Sequence, residues 1–391
     1  MIIRRAALGA AAIATVMTQL AVAQTLPAAP ATVSVDAYQP TDKDERGLWM
    51  QMDEQERDLK NSNFVIRDPT LNTYVRNVFC RVVGQRCAEV RIYITRTAYF
   101  NANIAPNGMM QVWSGLLLRT RNEAQLGAVL AHEYAHYQNQ HTLKLFREAR
   151  SKAAGAAWMS MFGLIGGLLA LGQISSIFKF SREQEAEADR LSVGMLARAG
   201  YDPREVPKIW EQFRAEMDAT AAARGTKSRK DKDRGLFASH PPTAERVTAL
   251  TAEAGKFPVD PAWRTGDGEY RQALAGMWAT LIDDQIKLND FGGTEFLVQY
   301  LARDGWTGPL NYARGELYRS RGQPADLTAA AGFYRSATTA DGPVESWRGL
   351  GLALLRSGDQ PGGQAALKSY LTQKPDASDK AMLGMLAGVT Q

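Results

Sequence analysis

The stretch Leu130-Ala131-His132-Glu133-Tyr134-Ala135-His136 sets two imidazoles and a carboxylate at H-E-x-x-H spacing in an apolar, alanine-rich run. Residues four apart on a helix share a face, so His132 and His136 can aim two ring nitrogens at one cation. Glu133 lies beside them and can take a proton from water activated by that cation. Two ligands and one general base are the parts of metal-assisted hydrolysis, with Zn2+, one ion per chain, as the cofactor this pattern expects. Only 4 histidines occur in 391 residues, which weighs against an incidental pair at this spacing.

Such a site needs a third ligand from another element. Ser181-Arg182-Glu183-Gln184-Glu185-Ala186-Glu187-Ala188-Asp189 reads as a carboxylate-dense helix. Spacing alone does not separate Glu183, Glu185 and Glu187. Glu185 and Asp189 are four apart and share a face, so Asp189 can hold the outer N–H of a ligand histidine. His240 precedes a proline turn, and Arg246 is expected to pair with carboxylates near the site. His141, five residues past His136, is expected to point away, at the surface.

Several elements must position these groups. A charged helical pattern runs from Thr41 to about Asn61, and Asp68-Pro69 can start a helix over Thr70 to Val83. Glu89 to Ile94 alternates and reads as a strand, Asn101 to Gly108 as a loop ending in the turn Pro106-Asn107-Gly108, and Met109 to Trp113 as a second strand. Asn122 is an N-cap for the helix that Glu123 opens. A strand just ahead of that helix offers a free edge for an extended substrate, or is an ordinary edge of a small sheet.

The ends and composition bound the setting. Met1 to Ala23 reads as an export signal: Arg4-Arg5, an apolar core, then the cleavage site Ala21-Val22-Ala23. A periplasmic chain is therefore expected, with Cys80 and Cys87 joined by one local disulfide. The formal charge is +5, and removing Arg4 and Arg5 leaves +3, too mild for a nucleic-acid partner. Ala153 to Phe178 is apolar and glycine-rich. A single span would separate His132 and His136 from Glu185, so a soluble or membrane-touching hairpin is favoured, with peripheral membrane contact a possible use. Gly225 to Gly235 is a charged loop, read as an exposed connection or a mobile lid.

The C-terminal part repeats. Tyr312 to Gly322 matches Arg348 to Gly358, and Phe333-Tyr334 matches Ser369-Tyr370 at the same offset. A helix-turn-helix period in the mid-thirties resembles tetratricopeptide repeats, which bind proteins on concave faces.

H-E-Y-A-H followed by S-R-E-Q-E-A-E-A-D resembles the HtpX-like and prenyl-protein-protease-like zinc metallopeptidases, and within them the exported, repeat-bearing BepA type. The likeness runs from about Asp44 to Leu250. It implies Glu133 as the catalytic residue, His132, His136 and Glu185 as metal ligands, and Asp189 as the aspartate of the second motif. It also implies that His240, in Ser239-His240-Pro241, can take the fourth metal position and keep the enzyme latent. The expected fold is mainly α with a small β-sheet: a gluzincin-type metallopeptidase domain followed by an all-α tetratricopeptide-repeat domain. The expected divisions are a signal at 1–23, a flexible lead-in at 24–43, the metallopeptidase domain at 44–254, a helical linker or degenerate repeat at 255–308 and repeats at 309–391. The implied function is zinc-dependent endoproteolysis in periplasmic quality control, with misassembled outer-membrane proteins and their assembly machinery as partners. The alternatives are a latent chaperone or adaptor acting through its repeats, and a membrane-embedded peptidase.

Overall fold

The computed structural model describes residues 38–151, 180–228, 230, 240, 242–323 and 325–389. The export signal, the lead-in before residue 38, the Ala153–Phe178 stretch and most of the Gly225–Gly235 loop lie outside the described residues. Among the described residues, no helix is long and apolar enough to cross a membrane.

The fold is mainly helical with one small sheet. Helix α1 (Lys43–Asn61) starts at Asp42, whose side chain accepts from the Asp44 and Glu45 amides. Helix α2 (Pro69–Val83) starts at Asp68, with the proline in its first turn, where no amide donor is needed. A 3-10 turn (Gly84–Glu89) follows, and the Cys80–Cys87 disulfide closes it, with Cα atoms 4.9 Å apart.

Three strands come next: β1 (Arg91–Thr95), β2 (Ala102–Ile104) and β3 (Met109–Trp113), in spatial order β1-β3-β2. β1 runs parallel to β3, pairing Arg91 with Met109 through Thr95 with Trp113; β2 is antiparallel, pairing Ala102 with Val112 and Ile104 with Met110. Two sequence expectations are corrected here. The segment read as a loop contains β2, three residues too short to show an alternation. β3 is the central strand, fully buried, and offers no free edge; the edge beside the site belongs to β2. Gly108 closes the β2–β3 turn at φ +84°, and a side chain there would stand 2.4 Å from the Glu89 carbonyl oxygen.

Short α3 (Ser114–Arg119) leads into α4 (Glu123–Gln138), and α5 is His141–Ser151. Beyond the undescribed stretch lie α6 (Arg182–Arg198), α7 (Glu205–Ala223) and α8 (Ala244–Ala254). The helices α9 (Asp267–Leu274), α10 (Trp278–Ile286) and α11 (Phe291–Leu301) then join the same hydrophobic core. A buried polar chain ties this region to the sheet side: Arg119 pairs with Glu216 at 2.6 Å and donates to Gln285, which donates to Thr294. At the surface Arg96 grips Asp284 through two hydrogen bonds of 2.6 and 2.8 Å.

The last helices stack as pairs: α12 (Gly308–Arg321) on α13 (Asp326–Thr338), α14 (Glu345–Arg356) on α15 (Gln360–Gln373), then α16 (Lys380–Leu386). Matched positions do matched jobs. Gly322 and Gly358 follow α12 and α14 at φ +68° and +92°. Tyr334 and Tyr370 are the buried tyrosines of the second helices.

One ion-pair cluster fastens α1 to the sheet. Glu56 accepts two 2.6 Å hydrogen bonds from Arg91 and one of 2.6 Å from Tyr93. Burial pushes the Glu56 carboxyl up, but the bonds from Arg91 and Tyr93 and the Arg91 charge outweigh it and hold it at about 2. A depressed carboxyl stabilises the fold above its ordinary value of 4.5, and that contribution is lost as pH falls towards 2. The gap in unfolding free energy between the native chain and Glu56→Gln, measured by urea denaturation, should be widest near neutral pH. It should narrow steadily in acid; a pH-independent gap would contradict this account.

Candidate metal centre

Helix α4 starts at Asn122, whose side-chain oxygen accepts from the Gln125 amide at 2.9 Å. It is buried on nearly every side, which is why its residues are small and apolar rather than amphipathic. Gly127 lets α2 and α6 close in: a side chain there would meet Val82 at 3.0 Å and Leu196 at 3.3 Å. Helix α6 begins with a capping box, in which the Ser181 hydroxyl accepts from the Gln184 amide and the Gln184 side chain from the Ser181 amide. That start puts Glu185 in the first turn and Asp189 one turn on, both facing α4. Helix α8 is capped by Thr243, so Arg246 lies in its first turn. Arg214 donates to the Pro242 carbonyl at 2.6 Å and holds the segment that carries His240.

Four donors converge: His132, His136, Glu185 and His240, all buried, with ligand atoms within 4.8 Å of one another. His132 Nε2 stands 3.1 Å from His136 Nε2 and 3.2 Å from His240 Nδ1. Glu185 Oε1 lies 2.8 Å from His240 Nδ1 and 3.4 Å from His136 Nε2. The carboxylate of Glu133 is 3.7 Å from His240 Nε2.

These residues fit a metal ion. His132 Nδ1 is 2.9 Å from Asp189 Oδ1, so that nitrogen carries the proton and Nε2 presents a lone pair. His136 presents its Nε2 to the same point. Lone pairs facing each other across 3.1 Å repel unless a cation lies between them. Four donors about 2.0–2.1 Å from a tetrahedral ion would stand roughly 3.3 Å apart, close to the spacings here. Among the described residues, Glu185 Oε2 is buried without a hydrogen-bond partner and faces Arg246 Nη1 at 3.5 Å, so it is able to accept a metal ion as well.

A surrounding set of groups holds the donors in place. Arg246 donates twice to Asp189, at 2.8 and 2.7 Å, and lies over the Trp210 ring at 3.8 Å. Phe180 stacks on the His136 ring, centroids 3.9 Å apart. Burial drives the Glu133 carboxyl up, opposed mainly by His240. Burial also opposes ionisation of Glu185 and Asp189. His240, His136 and Arg246 more than offset it at Glu185, as Arg246 and His132 do at Asp189, and both stay ionised. Burial pushes His136 down to about 3, leaving a neutral ring able to ligate. At His240 burial is outweighed by Glu185 and Glu133, which raise it.

His141 departs from its expected place. It is fully buried, with Nδ1 2.9 Å from His136 Nδ1 and Nε2 3.2 Å from Glu187 Oε2. The three groups are satisfied together when His136 Nδ1–H donates to His141 Nδ1 and His141 Nε2–H donates to Glu187. The helical wheel failed because the helix breaks: Gln140 sits at φ +54°, and α5 starts afresh at His141. The Asn139-Gln140 pair between two helical runs was the available signal. Glu187, one of three glutamates that spacing left unseparated, serves this outer contact, while Glu185 faces the donors.

Residues 66–254 match the profile of peptidase family M48. That segment belongs to the family. It is 28% identical over 184 residues to the beta-barrel assembly-enhancing protease of Escherichia coli strain K12, covering 43% of this chain and 38% of that one. It is 27% identical over 184 residues to the mitochondrial metalloendopeptidase OMA1 of Schizosaccharomyces pombe, covering 45% and 51%. With the metalloprotease LoiP of Escherichia coli it shares 30% over 182 residues, covering 45% and 66%. The chain spans about two fifths of the length of the beta-barrel assembly-enhancing proteases it matches.

His141→Leu removes the outer partner of His136 while keeping a buried apolar volume. Chelator competition should show metal affinity about 10–100-fold weaker than native, with His141→Asn, which keeps an acceptor near Nδ1, retaining most of it. Equal affinities for all three proteins would contradict this role.

Proposed function

We propose that this chain is a zinc-dependent metalloendopeptidase of the bacterial periplasm, working in quality control of envelope proteins and held at rest by His240. The convergence of the H-E-x-x-H pair, Glu185 and His240 beside Glu133 carries the reading. His132, His136 and Glu185 would hold the zinc. When bound, zinc supplies a Lewis acid that acidifies water and polarises a peptide carbonyl. Glu133 takes the proton of the attacking water and hands it to the leaving amine; its burial suits a group that must both gain and lose that proton. Asp189, fixed by Arg246, orients His132. An extended substrate would add as a strand along the outer edge of β2, which among the described residues has no strand beside it.

A catalytic zinc keeps one position for water or substrate, and a fourth protein ligand fills it. His240 stands in that place, so it must withdraw before substrate is cut. The Arg214 contact to Pro242 is the local restraint on that withdrawal. The same closed arrangement favours one second reading: a chaperone or adaptor whose peptidase stays latent.

The setting is supported by the Cys80–Cys87 disulfide, which suits an oxidising compartment. It is also supported by the likeness to proteins named for enhancing beta-barrel assembly. Misassembled outer-membrane proteins are the clients we propose, with the paired C-terminal helices, read as tetratricopeptide-like repeats, docking the assembly machinery. Ala153–Phe178 would supply any membrane contact.

Two variants test the reading on an unfolded protein substrate. Glu133→Gln should abolish cleavage while retaining stoichiometric zinc. His240→Ala should raise cleavage several-fold with zinc still bound. If Glu133→Gln restores an envelope-stressed deletion strain as well as the native chain does, the adaptor reading replaces the peptidase one.

A further inference from the structure

We infer that the first of the paired helices carries a docking site for an acidic residue within another protein chain, flanked by apolar side chains, with Arg314 receiving its carboxylate. This rests on the docking reading of these helices given above and supplies its chemistry. It does not depend on the peptidase reading.

The repeat itself marks the position. With Tyr312 to Gly322 laid on Arg348 to Gly358, Arg314 answers to Leu350 and Tyr318 to Leu354, while Phe333 answers to Ser369. Leu350 and Leu354 are buried packing residues, 5% and 6% exposed. The first unit puts a guanidinium and a phenol in their places, both only partly buried. A leucine fits this place in the fold, so packing of the unit does not call for an arginine.

Three rings surround that guanidinium. Its central carbon lies 4.2 Å from the centroid of Phe333, 4.7 Å from that of Trp306 and 5.6 Å from that of Tyr318. Rings hold such a cation by its faces and leave the in-plane N–H donors at its edge. Among the described residues, no hydrogen bond or ion pair engages those donors. Its neighbours on α12 are engaged: Arg319 bonds Glu316 and Tyr334, and Arg321 bonds Asp326 at 2.8 and 2.9 Å. The carboxylates that adjoin the cluster are engaged too. Glu295 accepts from the Tyr318 hydroxyl at 3.0 Å and from Arg321 at 3.4 Å, and Asp326 is held by Arg321. What remains is a positive charge without a counter-ion, beside an indole, Trp306, that is 43% exposed.

That combination selects its occupant. A carboxylate matches the edge of a guanidinium through two parallel hydrogen bonds. Apolar side chains next to it match the rings, which reach Arg314 from the loop before α12 (Trp306) and from the helix after it (Phe333). An acidic residue with an apolar residue on each side uses both rings; a chain terminus would use one. A nucleic acid would need several unengaged cations to hold its phosphates. Asp304, two residues before Trp306, is ion-paired with Arg121, the residue just ahead of the Asn122 cap of α4. A protein docked here is therefore held on the body that carries the metal donors.

Isothermal titration calorimetry on the full-length, zinc-loaded Glu133→Gln chain, which binds without cutting, tests this. The probes are acetylated, amidated peptides carrying Phe-Glu-Leu, Phe-Gln-Leu or Ala-Glu-Ala in one neutral frame. Phe-Glu-Leu should bind at least tenfold more tightly than either of the others, and more weakly as salt rises. Arg314→Leu, which copies Leu350 of the second unit, should erase the preference for glutamate over glutamine with the circular dichroism spectrum unchanged. Trp306→Ala, at the exposed ring, should erase the preference for Phe-Glu-Leu over Ala-Glu-Ala. Equal affinities for the charged and neutral peptides would overturn the carboxylate rule and leave the helices a docking region. No binding by any peptide would overturn both. An Arg314→Leu chain that keeps the preference would also overturn the inference, as would tighter binding of a neutral peptide ending in a free carboxylate or of an oligothymidylate.

Discussion

Three imidazoles and a carboxylate meet in the interior of this protein, and the surrounding architecture answers the difficulty of keeping them there. Lone pairs at 3.1 Å and a buried carboxylate oxygen without a hydrogen bond are unfavourable by themselves. A cation relieves both, and the outer contacts decide which atoms face it. Asp189 turns His132 and His141 turns His136, so that each ring offers its Nε2 inward. Removing either outer partner would leave a ligand ring free to rotate, which is why these contacts matter as much as the ligands.

The same logic connects the site to the rest of the chain. Asp189 is held by Arg246, Arg246 lies on Trp210, and Trp210 belongs to α7. The far part of α7 carries Glu216 and Thr220, which bond Arg119 and Asp290. One helix thus packs against the donors at one end and against the C-terminal helical region at the other. The glycine beside its partner helix matters too: a side chain at Gly292 would meet Ala223 at 2.3 Å, so α11 lies directly on α7. The helical region is built into the same core as the metal site rather than appended to it.

Much of this was legible in the residues, for reasons that differ by element. The H-E-x-x-H pair reads from sequence because both ligands belong to one helix, where spacing and geometry are equivalent. The Asn122 and Asp68 starts read well because capping is local chemistry. Glu185 needed its family motif, since three alternating glutamates look alike until a second helix chooses among them. His141 was misplaced because the wheel was carried through Gln140, where the backbone turns left-handed. The strand order was also out of reach. A parallel β1–β3 pair flanked by β2 depends on long-range pairing, and β2 is three residues long with no alternation to announce it. The helical pairs, by contrast, were visible through their repeat, because stacked units reuse the same glycine and tyrosine positions.

The central claim is that His132, His136, Glu185 and His240 together surround one metal ion in the resting chain. X-ray absorption at the zinc edge of the full-length, zinc-loaded protein measures this most directly. The account predicts one ion per chain with a four-donor shell containing three imidazoles, reduced to two in the His240→Ala protein. A native shell with two imidazoles, unchanged by that substitution, or a chain that takes up no stoichiometric zinc, would contradict it.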